Sequence, residues 1–261
     1  MQQQAVVARQ FGNTASAYLT SSVHAHGADL AHLRALAAAL PARPVVLDLG
    51  CGAGHASFAV APAASSVTAF DLSPEMLNVV ASAARDRGLD NIGTRQGNVA
   101  SLPFDDAAFC MVITRFSAHH WLDVPAALRE VRRVLKPNGV FVVIDITAPE
   151  TPLHDTTLQA VELLRDGSHV RDYRPTEWTH MLGTAGYTSE RVSDWKLPMQ
   201  FDDWTARMRT PAERIVAIRS LLRGAPEETR RYYAVQDDDS FTIDASLFIA
   251  RPGAAAASSP A

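Results

Sequence analysis

The sequence predicts a doubly wound α/β domain: a seven-stranded, mostly parallel sheet, with helices at the N-terminus and a helical cap inserted after strand five. Three observations carry that reading. Short apolar runs alternate with segments of helical periodicity between Val45 and Ile146, as in a parallel sheet covered on both faces. The first run passes directly into three alternate glycines, VVLDLGCGAG over 45–54. The last run, Phe241, Ile243, Ala245, Leu247 and Ile249, alternates strictly, as expected of a final strand paired antiparallel inside the sheet. At 261 residues, 47% of them apolar, the chain can bury the core of one large domain.

Residues 1–16 are small and polar and are expected to form a flexible N-terminus, frayed or acting as a lid that orders with ligand. The domain is expected over 17–250, with a core at 45–146 and the cap and C-terminal strands at 147–250. The tail 251–261 has nothing to bury and is expected to be disordered. From Ala17 to Leu40 the pattern is helical, with Leu30, Leu33, Ala37 and Leu40 on one face, and it stops at Pro41. Two helices then precede the first strand.

Gly50, Gly52 and Gly54 permit a turn whose backbone can approach a ligand closely. A dinucleotide fingerprint needs a glycine at the sixth place, and His55 stands there, which argues against NAD and FAD. A helix from His55 to Ala61 would aim its N-terminal amides at the turn, and Pro62 ends it. The second strand, Val67–Phe70, is closed by Asp71. Ser73 and Pro74 open the next helix as N-cap and first residue, Met76, Val79, Val80 and Ala83 form its buried stripe, and Gly88 ends it. Ile92–Gln96 forms a third strand leading into GNVASLPF, and Phe109–Thr114 forms a fourth.

The segment RFSAHHW, 115–121, leaves the carboxyl end of strand four, where ligands lie in open α/β sheets. His119 and His120 are candidate general bases there, although histidines are also common in loops and helix caps. Asp123 caps a helix, and KPNG, 136–139, turns into strand five, Val140–Ile146. Two helices follow, one ending at Gly167 and one over Thr176–Ala185. The intervening SHVRDYRP, with His169, Arg171, Tyr173 and Arg174, reads as a surface loop or as part of a substrate roof. Tyr187–Trp195 is a candidate sixth strand, and Thr210, Pro211 and Glu213 read as a capping-box helix start.

A net charge of -4 without dense Lys/Arg runs disfavours a nucleic-acid partner. No stretch approaches the roughly 18 apolar residues of a membrane span, and the N-terminal segment lacks a signal-peptide core, so a cytoplasmic location is expected. Two cysteines, Cys51 and Cys110, make neither a disulfide framework nor a zinc pattern, and His24/His26 and His119/His120 lack metal-ligand spacing. No metal is expected.

DLGCGAG, with Asp48 ahead of the first glycine, resembles the glycine-rich motif of class I S-adenosylmethionine (SAM) dependent methyltransferases. GNVASLPF and ALREVRRVLKPNGVFVVID extend the resemblance to the "type 11" small-molecule group, which includes the quinone-biosynthesis C-methyltransferases. It covers 45–146 well and the flanks loosely. It implies a Rossmann-like fold and methyl transfer from SAM to a carbon, oxygen or nitrogen nucleophile of a small-molecule acceptor. The implied cofactor contacts are Tyr18, Asp48, Gly50, Cys51, Gly52, Asp71, Leu72, Asn98, Val99 and Arg115. Tyr18 would close over the methionine end, or would merely pack the first helix. Asp48 would shape the pocket, or only orient the glycine loop. Asp71 would hold the ribose hydroxyls, or only support a turn. Asn98 stands where the family usually has an acid at the adenine amino group, a neutral acceptor in place of a charged one. Arg115 and His119 would lie nearest the methyl. A protein or RNA methyltransferase, a non-catalytic SAM-binding protein and a protein using another nucleotide remain as alternatives.

Overall fold

The computed structural model describes residues 2–12 and 27–253. Seven strands form one sheet: β1 (Val45–Leu49), β2 (Ser66–Asp71), β3 (Ile92–Gln96), β4 (Phe109–Arg115), β5 (Leu135–Ile146), β6 (Tyr187–Met199) and β7 (Phe241–Pro252). Their order is β3-β2-β1-β4-β5-β7-β6, and only β7 runs antiparallel to its neighbours, β5 and β6. The chain reverses its direction of winding between β1 and β4, which leaves a crevice at the carboxyl ends of those strands.

Ten α-helices are described: α1 (Gln3–Gly12), α2 (Ala28–Ala39), α3 (His55–Val60), α4 (Pro74–Asp86), α5 (Val124–Val134), α6 (Pro152–Arg165), α7 (Pro175–Thr184), α8 (Phe201–Arg207), α9 (Ala212–Gly224) and α10 (Glu227–Tyr232). Strand residues alternate between two layers. Leu47, Leu49, Val112, Phe141 and Val143 pack under α5 and α7, whereas Val46, Met111, Ile113, Val142 and Ile144 pack under α2 and α3. Each fully buried aliphatic side chain contributes about 1.5–3 kcal/mol, so these two layers carry the fold. A third cluster seats α6, α8 and α9 against Phe241 and Ile243 of β7.

Several local expectations are corrected. Gln3–Gly12 is helical rather than frayed, and Gln10 Nε2 donates to the Met208 carbonyl at 2.9 Å. Tyr18 and residues 254–261 lie outside the described residues. Arg251 and Pro252, assigned to the tail, extend β7 against Thr188 and Tyr187. β6 continues to Met199 because β7 pairs with it along that length. KPNG loops out between Leu135 and Val140, opposite a single residue of β4, so the turn sits inside the strand pairing instead of before it. Thr210 caps nothing: its hydroxyl donates to the Arg165 carbonyl at 3.0 Å, and α9 starts without a side-chain cap.

Candidate active site

The glycine turn is fixed to β2 by backbone. The amides of Gly50 and Cys51 both donate to the Phe70 carbonyl, at 2.8 and 3.1 Å. Asp71, one residue on, clamps the turn from the side. Its Oδ2 accepts from the Gly52 amide and its Oδ1 from the Ser73 amide, each at 2.9 Å. Gly50 has φ +63°, and a Cβ there would fall 1.8 Å from the Ser117 hydroxyl oxygen, so glycine is required twice over. At Gly52, φ +50°, the space a Cβ would fill is open.

Asp48 is buried beneath this turn. Its Oδ2 accepts from the Ser57 amide at 2.9 Å and the Ser57 hydroxyl at 2.6 Å, tying β1 to the first turn of α3. Burial pushes its pKa up to about 6, against the opposing pull of those two bonds and of Arg115. Burial likewise raises Asp71, and it raises the Cys51 thiol, so that cysteine is a packing group and not a thiolate.

The turn borders a cavity of about 320 Å³. Asp48, Gly50, Cys51, Gly52, Asp71, Leu72, Asn98, Val99, Arg115 and His120 all line it; His119 does not. Asn98 Oδ1 accepts from the Ala100 amide at 2.9 Å, which sets the bend that presents Val99. Arg115 forms a buried ion pair with Asp29 of α2. Ser117 and Trp121 of the RFSAHHW segment line the cavity as expected of that loop, and the indole of Trp121 donates to the Ser117 hydroxyl at 3.2 Å; Gln3 of α1 joins them from the N-terminus. No local motif marks Gln3.

The adjacent histidines face different surroundings. His119 Nδ1 meets Asp145 Oδ1 at 2.6 Å, with both side chains largely buried. Burial opposes its charge, but Asp145, assisted by Asp172 and Glu162, more than reverses this and raises its pKa to about 9. His119 is therefore an imidazolium locked to Asp145. His120 is pushed down to about 4, by burial and then by the charge of His119, and its Nδ1 donates to the Ser168 carbonyl at 3.2 Å. Gln3 of α1 donates to the same carbonyl at 2.7 Å. Asp145 had a readable signal, since it stands at the carboxyl end of a parallel strand as Asp48 and Asp71 do.

SHVRDYRP is a surface loop only in part, with Val170 exposed. The amides of Val170 and Arg171 donate to the His119 carbonyl at 2.9 and 3.1 Å, which draws Ser168, His169 and Asp172 into the interior. Among the described residues no three His, Cys, Asp or Glu side chains converge as metal ligands, and no helix is long and apolar enough to cross a membrane.

An open sheet with a glycine-lined cavity at its switch point defines a ligand-binding α/β protein, and comparison with known proteins gives the family. A family model described as "Methyltransferase domain" matches residues 47–143. The uncharacterized protein YafE of Escherichia coli is 50% identical over 75% of this chain and 94% of its own length. YcgJ of Bacillus subtilis, an uncharacterized methyltransferase, is 38% identical over 86% of this chain and 88% of its own. The crystal structure of YcgJ superposes with a TM-score of 0.84 at 35% identity, covering 88% of this chain and 100% of that one. Demethylmenaquinone methyltransferase of Bacillus subtilis is 36% identical over 40% of this chain and 46% of its own length. The chain belongs to the methyltransferase family, and it is an enzyme of the transferase class.

Proposed function

We propose that this enzyme moves a methyl group from SAM to a small-molecule acceptor in the cytoplasm. The observation that carries the proposal is the clamp of Asp71 on the Gly52 amide at the edge of the 320 Å³ cavity, with open space at Gly52. Both Asp71 oxygens keep a lone pair for the ribose hydroxyls after serving the turn. Asn98 Oδ1 keeps one for the adenine amino group, beside the Val99 backbone. Arg115 and His120 border the acceptor side.

Bound in this cavity, SAM supplies a methyl on a sulfonium that leaves readily, giving S-adenosylhomocysteine. The residues of the chain align the acceptor and exclude water. His120, neutral at physiological pH, can take a hydrogen bond from the acceptor. A base with a pKa of about 4 orients a nucleophile and does little to deprotonate it, so the reading favours an acceptor acidic or nucleophilic on its own. A small acceptor is supported by the modest volume of the cavity, the acidic net charge and the likeness to an enzyme named demethylmenaquinone methyltransferase. The two free cysteines suit a reducing compartment.

Calorimetric titration with S-adenosylhomocysteine tests this. The parent should bind, and Asp71→Ala should lose at least about tenfold in affinity, since it removes the clamp and the ribose acceptor together. A folded parent that does not bind overturns the proposal.

A further inference from the structure

Behind His120 lies a second cavity of about 70 Å³. Phe116 and His120 border both cavities and form the partition between them. Phe116 holds φ 50°, in the left-handed region that a bulky residue seldom adopts, and its amide is fixed by the Ile144 carbonyl at 2.8 Å. Strain of this kind persists where the surroundings over-determine it, commonly at functional sites.

The second cavity has two unlike walls. One is apolar, with Ile146, Leu197, Met199 and Ile243. The other carries Glu162, Asp166 and Asp172 together with Arg165, Arg207 and the His119–His120 pair. Most charge on that side is answered within the protein. His119 pairs with Asp145, Glu162 meets Arg165 at 3.3 Å, and Asp166 Oδ1 accepts from both the amide and the hydroxyl of Ser168.

Asp172 is the exception. It is 1% exposed, lines the cavity, and its Oδ2 has no hydrogen-bond partner. Its backbone cannot drift, because Gln159 accepts from its amide at 3.1 Å and donates to its carbonyl at 2.8 Å. The nearest ring nitrogen, His169 Nε2, is 3.9 Å away and donates instead to Gln159 Oε1. A buried carboxyl oxygen left unsatisfied costs about 1–3 kcal/mol, and such an atom on a cavity wall calls for a ligand.

We propose that this second cavity receives an uncharged, hydroxyl-bearing end of the acceptor, hydrogen-bonded at Asp172 Oδ2, with Phe116 and His120 as the threshold to the cofactor cavity. The assignment rests on the methyltransferase reading of the large cavity. A charged head is disfavoured because the polar wall holds both signs, Glu162 and Asp166 against Arg165 and Arg207, and the facing apolar wall suits carbon. Burial pushes the Asp172 carboxyl up, the charge of His119 opposes this, and its unpartnered Oδ2 accepts from a hydroxyl without a counter-ion.

Methionine-methyl NMR on the full chain separates the two cavities, since Met76 borders the large one and Met199 the small one. S-adenosylhomocysteine should move the Met76 signal, which tests the cofactor reading alone. Phenol should move Met199 and bind about tenfold more tightly than toluene, the contribution of one buried hydrogen bond. In Asp172→Leu that preference should vanish while the Met76 response to S-adenosylhomocysteine is retained. If that variant fails to fold, Leu197→Trp, which fills the cavity from the apolar wall, should abolish the Met199 response to phenol. Equal binding of phenol and toluene, a phenol response at Met76 without one at Met199, or benzylamine binding more tightly than phenol overturns the assignment. Should S-adenosylhomocysteine move nothing, the cofactor reading fails, and phenol against toluene at Met199 still decides the second cavity.

Discussion

The two halves of the site are built by different means. On the β1–β2 side, consecutive residues and main-chain groups do the work: Gly50, Cys51 and Gly52 are held by the Phe70 carbonyl and the Asp71 carboxylate. On the β5 side, buried side chains from four separate segments meet: His119 and His120, Asp145, Glu162 with Arg165, and Asp166 to Asp172. The first construction tolerates little change of shape. The second tolerates changes of shape better, but its stability depends on where its protons sit.

Gly50→Val should break the backbone half most severely. It adds a left-handed strain to a contact 1.8 Å from the Ser117 hydroxyl, and a loss of more than about 3 kcal/mol is expected in denaturant unfolding. A loss below about 1 kcal/mol would mean that the turn is more yielding than its contacts imply.

The side-chain half should show itself in pH. The folded pKa of His119 is raised to about 9 from 6.5, so its stabilisation is complete below about 6.5 and is lost as pH rises toward 9. That of His120 is lowered to about 4, so its contribution is complete above about 6.5 and is lost as pH falls toward 4. Thermal stability should therefore peak near neutrality. His119→Gln should flatten the alkaline limb, on the order of 2 kcal/mol, and let His120 titrate nearer its ordinary value. An unchanged alkaline limb would show that the pair with Asp145 is not charged.

Asn98→Asp gives the smallest effect and refines the first half. The carboxylate would keep the bend at Ala100 and offer the adenine amino group a charged acceptor, for a gain of a few-fold in S-adenosylhomocysteine affinity by calorimetry. A loss of affinity would place adenine elsewhere.

This contrast also explains what was legible in the sequence. Glycines at fixed spacing, an acid at the end of β2 and the strict alternation of β7 are local signals, and each element stands where those residues put it. Asp71 could be named because it closes a strand, and Asp48 and Asn98 because the motifs around them resemble those of a known family. The network around His119 has no such signal. Nothing local in SHVRDYRP tells that its amides bond to a carbonyl some fifty residues earlier, or that Asp172 turns inward. His119 and His120 read alike as neighbours, and only their different burial partners part them.

The position of β7 has a consequence for synthesis of the chain. β6 pairs with β7 alone, and β7 also covers the apolar edge of β5 from Phe141 to Ile146. On the ribosome, β1 to β5 can assemble as they emerge, but that edge stays bare and β6 has no partner until residues 241–252 leave the exit tunnel. Those are the last residues of the sheet to be made. The nascent protein thus passes through an interval with an open, aggregation-prone strand edge, and a chaperone or slow elongation acting before residue 241 would have its greatest effect there.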